Sequence, residues 1–113
     1  MITVYGISNC DTIKKTCRYL TEQGLDWQLY DYRKQGLDKT LCDTLTSRFS
    51  LADLINRRGT TWRQLDPAQQ AGLQQIDSAK ALLMQHPALI KRPIIRTADD
   101  QWLIGFDAVK TLG

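Results

Sequence analysis

A strand, a helix and a second strand follow one another in the first third of the chain. That order restricts the fold more than any other feature. Ile2-Thr3-Val4-Tyr5 alternates in polarity and is rich in β-branched residues, which predicts a strand. Gly6 to Asn9 reads as a turn, and Asp11 to Gln23 as a helix. Ile13, Cys17 and Leu20 recur at helical spacing, while Lys14, Lys15 and Arg18 lie off that stripe. Gly24 ends the helix as a left-handed cap, and Trp27 to Tyr32 forms the second strand. A helical crossover between two strands of one sheet sets them parallel.

The middle of the chain, from about Gly36 to Pro87, offers no convincing strand. Leu37, Leu41 and Leu45 mark one amphipathic helix. Ser50 and Asp53 resemble a capping box ahead of Leu54 and Ile55. Asp66-Pro67 starts another helix, with proline at its first position. Asp77 or Ser78 begins one that carries Ala79, Leu82 and Leu83, and His86-Pro87 ends it. Ile94 to Thr97 and Trp102 to Ile104 read as a hairpin around Ala98-Asp99-Asp100-Gln101. Gly105 breaks the second of these strands, and Asp107 to Leu112 closes the chain as a short helix. The order βαβ, helices, ββα predicts an α/β fold: a four-stranded mixed sheet with helices packed on it and a helical insertion between the two halves.

The 113 residues suit a single domain. The net charge of +3 is too mild for uniform nucleic-acid binding, and direct contact with nucleic acid is not expected. No run of about 18 apolar residues exists, so a membrane helix is excluded. The N-terminus lacks the basic region of a signal peptide. Cysteines stand at 10, 17 and 42, an odd number at irregular spacing. A disulfide framework is therefore not expected, and a reduced, cytoplasmic protein is. The single histidine and the absence of any CxxC argue against a metal site.

Cys10 falls where the first strand turns into the first helix. Free backbone N–H groups and the helix dipole converge there, and both favour a thiolate. Lys14, one turn on, adds to this effect; Asp11 opposes it. The competing reading is a buried structural cysteine. Cys17 lies two helical turns away, about 10 Å of rise, whereas a disulfide needs Cα atoms within about 7 Å. Its place on the Ile13–Leu20 stripe favours core packing. Cys42, beside Leu41, has no activating feature. A second thiol for Cys10 comes most simply from glutathione.

Four segments in order resemble one family. Tyr5-Gly6-Ile7-Ser8-Asn9-Cys10-Asp11-Thr12-Ile13-Lys14-Lys15 is similar to the cysteine motif of the ArsC/Spx/YffB proteins. Asn56-Arg57-Arg58-Gly59-Thr60-Thr61-Trp62-Arg63-Gln64-Leu65 resembles the middle motif of the YffB branch, and His86-Pro87-Ala88-Leu89-Ile90-Lys91-Arg92-Pro93-Ile94-Ile95 the family's most recognisable segment. Leu103-Ile104-Gly105-Phe106 matches the tail of the YffB and Spx branches. The resemblance implies a thioredoxin-like core over 1–35 and 88–113, with a helical insertion over 36–87. It implies Cys10 as nucleophile and a cis Arg92-Pro93 bond beside it. It implies that Asn9, Thr12, Lys14, Asn56, Arg57, Arg92 and Pro93 bind substrate or glutathione. Glutathione is then the co-substrate, glutaredoxin a second candidate partner, and no cofactor is held tightly.

Two departures from better-known members separate the branches. Glutaredoxin-linked arsenate reductases place three arginines around the cysteine. Here Arg92 is kept, the middle one falls on Asn56 or Arg57, and the third falls near Gly105-Phe106, where no arginine exists. The Spx switch CxxC is replaced by Cys10-Asp11-Thr12-Ile13. The resemblance therefore implies a glutathione-dependent thiol reductase. The alternatives are an Spx-like interaction module, with Arg57, Arg58, Lys91 and Arg96 as its interface, and a true arsenate reductase.

Overall fold

The computed structural model describes residues 1–113, which divide into two compact units: Met1–Gly36 with Arg92–Gly113, and Leu37–Lys91. The chain runs β1 (Ile2–Gly6), α1 (Asp11–Glu22), β2 (Trp27–Asp31) and a one-turn helix α2 (Tyr32–Gln35). It continues through α3 (Lys39–Arg48), α4 (Leu51–Leu54), α5 (Thr60–Gln64), α6 (Pro67–Gly72), α7 (Ile76–Gln85) and a 3-10 turn over Pro87–Leu89. It ends with β3 (Ile94–Arg96), β4 (Trp102–Ile104) and α8 (Phe106–Val109).

The first unit is built on a sheet of strand order β2-β1-β3-β4. β1 pairs with β2 in parallel, Val4 opposite Leu29 and Gly6 opposite Asp31. It pairs with β3 antiparallel, Tyr5 opposite Ile94, and β4 completes the hairpin with Ile95 opposite Leu103. Alternation along β1 sends Ile2 and Val4 to one face, where they are buried with Ile13, Leu20, Ile95 and Val109. Tyr5 points to the other face and contacts the rings of Tyr30 and Trp102, at 5.3 and 5.6 Å between centroids.

Two local readings change here. The buried stripe of α1 is Ile13, Thr16 and Leu20, with Cys17 at its edge. Thr16 is tolerated inside because its hydroxyl donates to the Thr12 carbonyl at 2.8 Å. β2 stops at Asp31, one residue earlier than its hydrophobicity suggests, because the Asp31 carboxylate caps α2. Gly24 takes the expected left-handed conformation, with φ +71.

In the second unit α3 and α7 pack together. Cys42 and Leu45 are the buried residues of α3; Leu37 precedes its cap, Asp38, and Leu41 is half-exposed. Ser50 caps α4 by accepting from the Asp53 N–H. Asp66 and Gln69 form a reciprocal capping box on α6. α7 starts at Ile76, ahead of the expected Asp77 or Ser78, and the Ser78 hydroxyl donates instead to the Gly72 carbonyl. Ala79, Leu82 and Leu83 are its buried face. An isolated antiparallel bridge joins Ile55 and Ile90. One such pair leaves no alternation for sequence reading to detect. No helix is long and apolar enough to cross a membrane.

Candidate functional site

Cys10 is the N-cap of α1, with extended backbone (φ −95, ψ 131). Its carbonyl accepts the first intrahelical bond from Lys14 N–H at 3.0 Å, and its own N–H donates to the Ile7 carbonyl at 3.2 Å. Its side chain makes no capping bond and is half-buried, resting against the edge of the core. Cys10 thus stands at the helix end where unpaired N–H groups collect.

The loop that carries Cys10 is fixed from both sides. Behind it, Gly6 lets β1 approach α1: a Cβ there would collide with Ile13 Cδ1 and lie 2.8 Å from its Cγ1. Beside it, Ser8 N–H donates to Asp31 Oδ2 at 3.1 Å. The other oxygen of Asp31 accepts from Arg33 N–H at 2.8 Å. Burial pushes the Asp31 carboxyl up, but hydrogen bonds from the Ser8 hydroxyl and from the N–H groups of Arg33, Ser8 and Lys34 outweigh it and hold the group below its ordinary value.

The Arg92-Pro93 bond is cis. Continuing the β1–β3 register one step beyond Tyr5 and Ile94 sets Pro93 across from Gly6, at the same sheet end as the cysteine loop. Pro93 is buried and its carbonyl accepts from Gly105 N–H at 2.9 Å. Arg92 is half-buried, its Cγ 3.7 Å from the position a Cβ on Gly6 would take. No carboxylate forms an ion pair with it. The cysteine loop and Arg92, which has no ion-pair partner, therefore lie at the same end of the mixed sheet.

The family model for ArsC matches residues 5–112. The chain belongs to the ArsC family. An uncharacterized protein from Haemophilus influenzae is 44% identical over 107 residues, covering 95% of this chain and 92% of its own. Among solved structures, a YffB protein superposes with a TM-score of 0.86 at 33% identity, covering 98% of this chain and 97% of its own. An ArsC-related protein from Brucella melitensis gives 0.78 at 35% identity, covering 93% and 86%. An arsenate reductase from Vibrio cholerae, 19% identical, shares the fold at a TM-score of 0.73 with 98% and 94% covered.

In this ArsC-family chain the residues singled out from sequence fall into two groups. Asn9, Thr12 and Lys14 lie with Cys10, Arg92 and Pro93 in the first unit. Asn9 and Lys14 are exposed, and the Thr12 carbonyl is taken by Thr16. Asn56 and Arg57 belong to the second unit. There the Asn56 N–H donates to the Leu89 carbonyl at 2.7 Å, and Asn56 Oδ1 accepts from Arg58 N–H at 3.0 Å. Asn56, Arg57, Arg58 and Lys91 line an open depression of about 370 Å³, cationic through three side chains.

Arg96 does not fill the place of a third arginine. It binds Asp100 at 2.9 Å and lies 5.7 Å from the centre of the Trp102 ring, two residues along β3 from the Ile94–Ile104 pair that precedes Gly105. Burial pushes both other thiols up. For Cys17 a backbone hydrogen bond partly offsets this; for Cys42 the neighbouring Asp43 reinforces it and Lys80 partly offsets it. No three His, Cys, Asp or Glu side chains converge as metal ligands. Ser8 and Asp31 escaped the sequence reading. Their signal was an aspartate at a strand end two residues before Arg33, the pattern of a helix cap.

Proposed function

We propose that this ArsC-family protein is a glutathione-dependent thiol–disulfide oxidoreductase with Cys10 as its nucleophile. The observation that carries this reading is the placement of Cys10 as N-cap of α1 and half-exposed, while burial pushes the other two thiols up. The Cys10 thiolate attacks the glutathione sulfur of a mixed disulfide; the S–S bond breaks and the departing thiolate takes up a proton. Cys10 is then disulfide-bonded to glutathione. A second glutathione thiolate attacks the glutathione sulfur of that adduct, forms oxidised glutathione and returns the Cys10 thiolate. Glutaredoxin can take the glutathionyl group in the same way.

Arg92, free of any carboxylate partner, holds a glutathione carboxylate in bidentate geometry, and the backbone beside Pro93 holds the peptide. Asn9, Thr12 and Lys14 form the rest of the binding surface on the first unit. The cytoplasm, rich in reduced glutathione, is the compartment that sustains this cycle. Arsenate fits less well, since no arginine stands at Gly105 and Arg96 is committed to Asp100.

The test is peptide mapping by mass spectrometry after exposure to oxidised glutathione. Cys10 carries the adduct first, Arg92→Ala slows its formation, and Arg92→Lys restores only part of the rate because lysine lacks the fork. Modification of Cys17 or Cys42 ahead of Cys10 refutes the assignment, and equal rates in all three proteins remove Arg92 from the site.

A further inference from the structure

Asp31 is the one carboxylate buried in the protein, 4% exposed, and no cation forms an ion pair with it. Burying a charge in this way is costly unless every oxygen is satisfied by donors. Capping α2 does not require it, because asparagine or serine caps a helix as well. What only a carboxylate supplies is two acceptor oxygens and no donor. One of them, Oδ1, accepts from Arg33 N–H at 2.8 Å within α2. The other, Oδ2, crosses from β2 to Ser8 N–H at 3.1 Å. Ser8 is two residues before Cys10, inside the turn that the Cys10 N–H closes on the Ile7 carbonyl.

We infer that Asp31 is a positioning residue: by holding Ser8, it fixes the entry of the chain into α1 and so keeps the Cys10 sulfur at the helix N-terminus. This role deepens the proposed thiol chemistry and rests on Cys10 being its nucleophile. Asparagine at position 31 can keep the α2 cap through its oxygen, but it then turns an N–H₂ toward the Ser8 N–H, donor against donor. Releasing the loop takes the sulfur away from the helix end and slows its reaction.

The experiment measures the rate at which iodoacetamide modifies each cysteine at neutral pH in wild type and Asp31→Asn. The Cys10 thiolate displaces iodide and forms a thioether, and buried Cys42 reports whether the fold is intact. Expected is a Cys10 rate about tenfold lower in the variant, with Cys42 still protected. An unchanged or faster Cys10 overturns the positioning role and leaves the nucleophile in place. A wild-type Cys10 no faster than Cys17 overturns the nucleophile reading itself. Should Asp31→Asn expose Cys42, Asp31→Ser decides: it keeps an oxygen to cap α2 but no second acceptor for the Ser8 N–H, a fall of about tenfold is expected, and an unchanged rate overturns the role.

Discussion

Gly6→Ala tests whether the approach of β1 to α1 is as tight as the geometry shows. The added methyl would collide with Ile13 Cδ1 and lie 2.8 Å from Cγ1, and Ile13 is 1% exposed among Val4, Leu20 and Ile95. It cannot turn outward, so the end of β1 must shift or the core must strain. Overpacking of this kind costs about 1–3 kcal/mol. Against it stands the entropic benefit of alanine in the unfolded chain, about 0.4–1 kcal/mol. The net loss is about 1–2 kcal/mol, which lowers the urea midpoint by about 1 M for a protein of this size. Ile13→Val removes the nearest atom and alone costs about 1 kcal/mol. Because it also makes room for the methyl, the double variant is expected to be more stable than the sum of the two losses by about 1 kcal/mol. Urea unfolding of the four proteins completes the cycle. Losses that add to within about 0.4 kcal/mol would show that the methyl and Ile13 do not compete for space.

Cys17→Ala, at the edge of the α1 stripe, should destabilise the protein by about 1 kcal/mol and leave Cys10 glutathionylation at its wild-type rate; a folded variant that loses the adduct would make Cys17 part of the chemistry. Asp31, whose folded pKa is depressed, contributes stability that is fully present above the unfolded carboxyl value of about 4 and is lost as pH falls through the folded value. Urea unfolding at neutral pH and near pH 3 should therefore show a smaller acid loss in Asp31→Asn than in wild type, and equal losses would refute this. Asp66→Ala removes the side-chain acceptor of the α6 capping box and should cost about 1 kcal/mol, read as a fall in thermal midpoint of about 4–8 °C for a chain of this length. An unchanged midpoint would mean that α6 holds without its cap.

The strands, the first helix and the place of Cys10 were legible because each rests on a local pattern. Alternation marks β1, helical spacing marks α1, and Gly24 punctuates the turn. The four-residue helix at Tyr32 was not, since one turn carries no periodicity and the hydrophobic run of β2 continues into it. Thr16 and Cys17 show a finer limit. Hydrophobicity assigns the buried slot to cysteine, but a threonine that bonds its own helix backbone can occupy it. Asp31 escaped for a related reason: its partners are backbone N–H groups, and any residue provides those. The cis bond at Pro93 came from family resemblance alone, because local sequence does not distinguish it from an ordinary strand start.

β1 lies inside the sheet, yet its two neighbours reach it at very different times. β2 follows after one helix, whereas Ile94, opposite Tyr5, is about 90 residues along the chain. As the protein leaves the ribosome, the βαβ segment is complete while one edge of its central strand stays bare, with Val4 and the core face of α1 only half covered. It stays so until the whole second unit and the β3–β4 hairpin have been made. An exposed apolar edge of this kind invites pairing with other chains. A ribosome stalled, or a chain truncated, anywhere before Pro93 would release a fragment primed to aggregate, so the last twenty residues act as the cover that makes the first thirty safe.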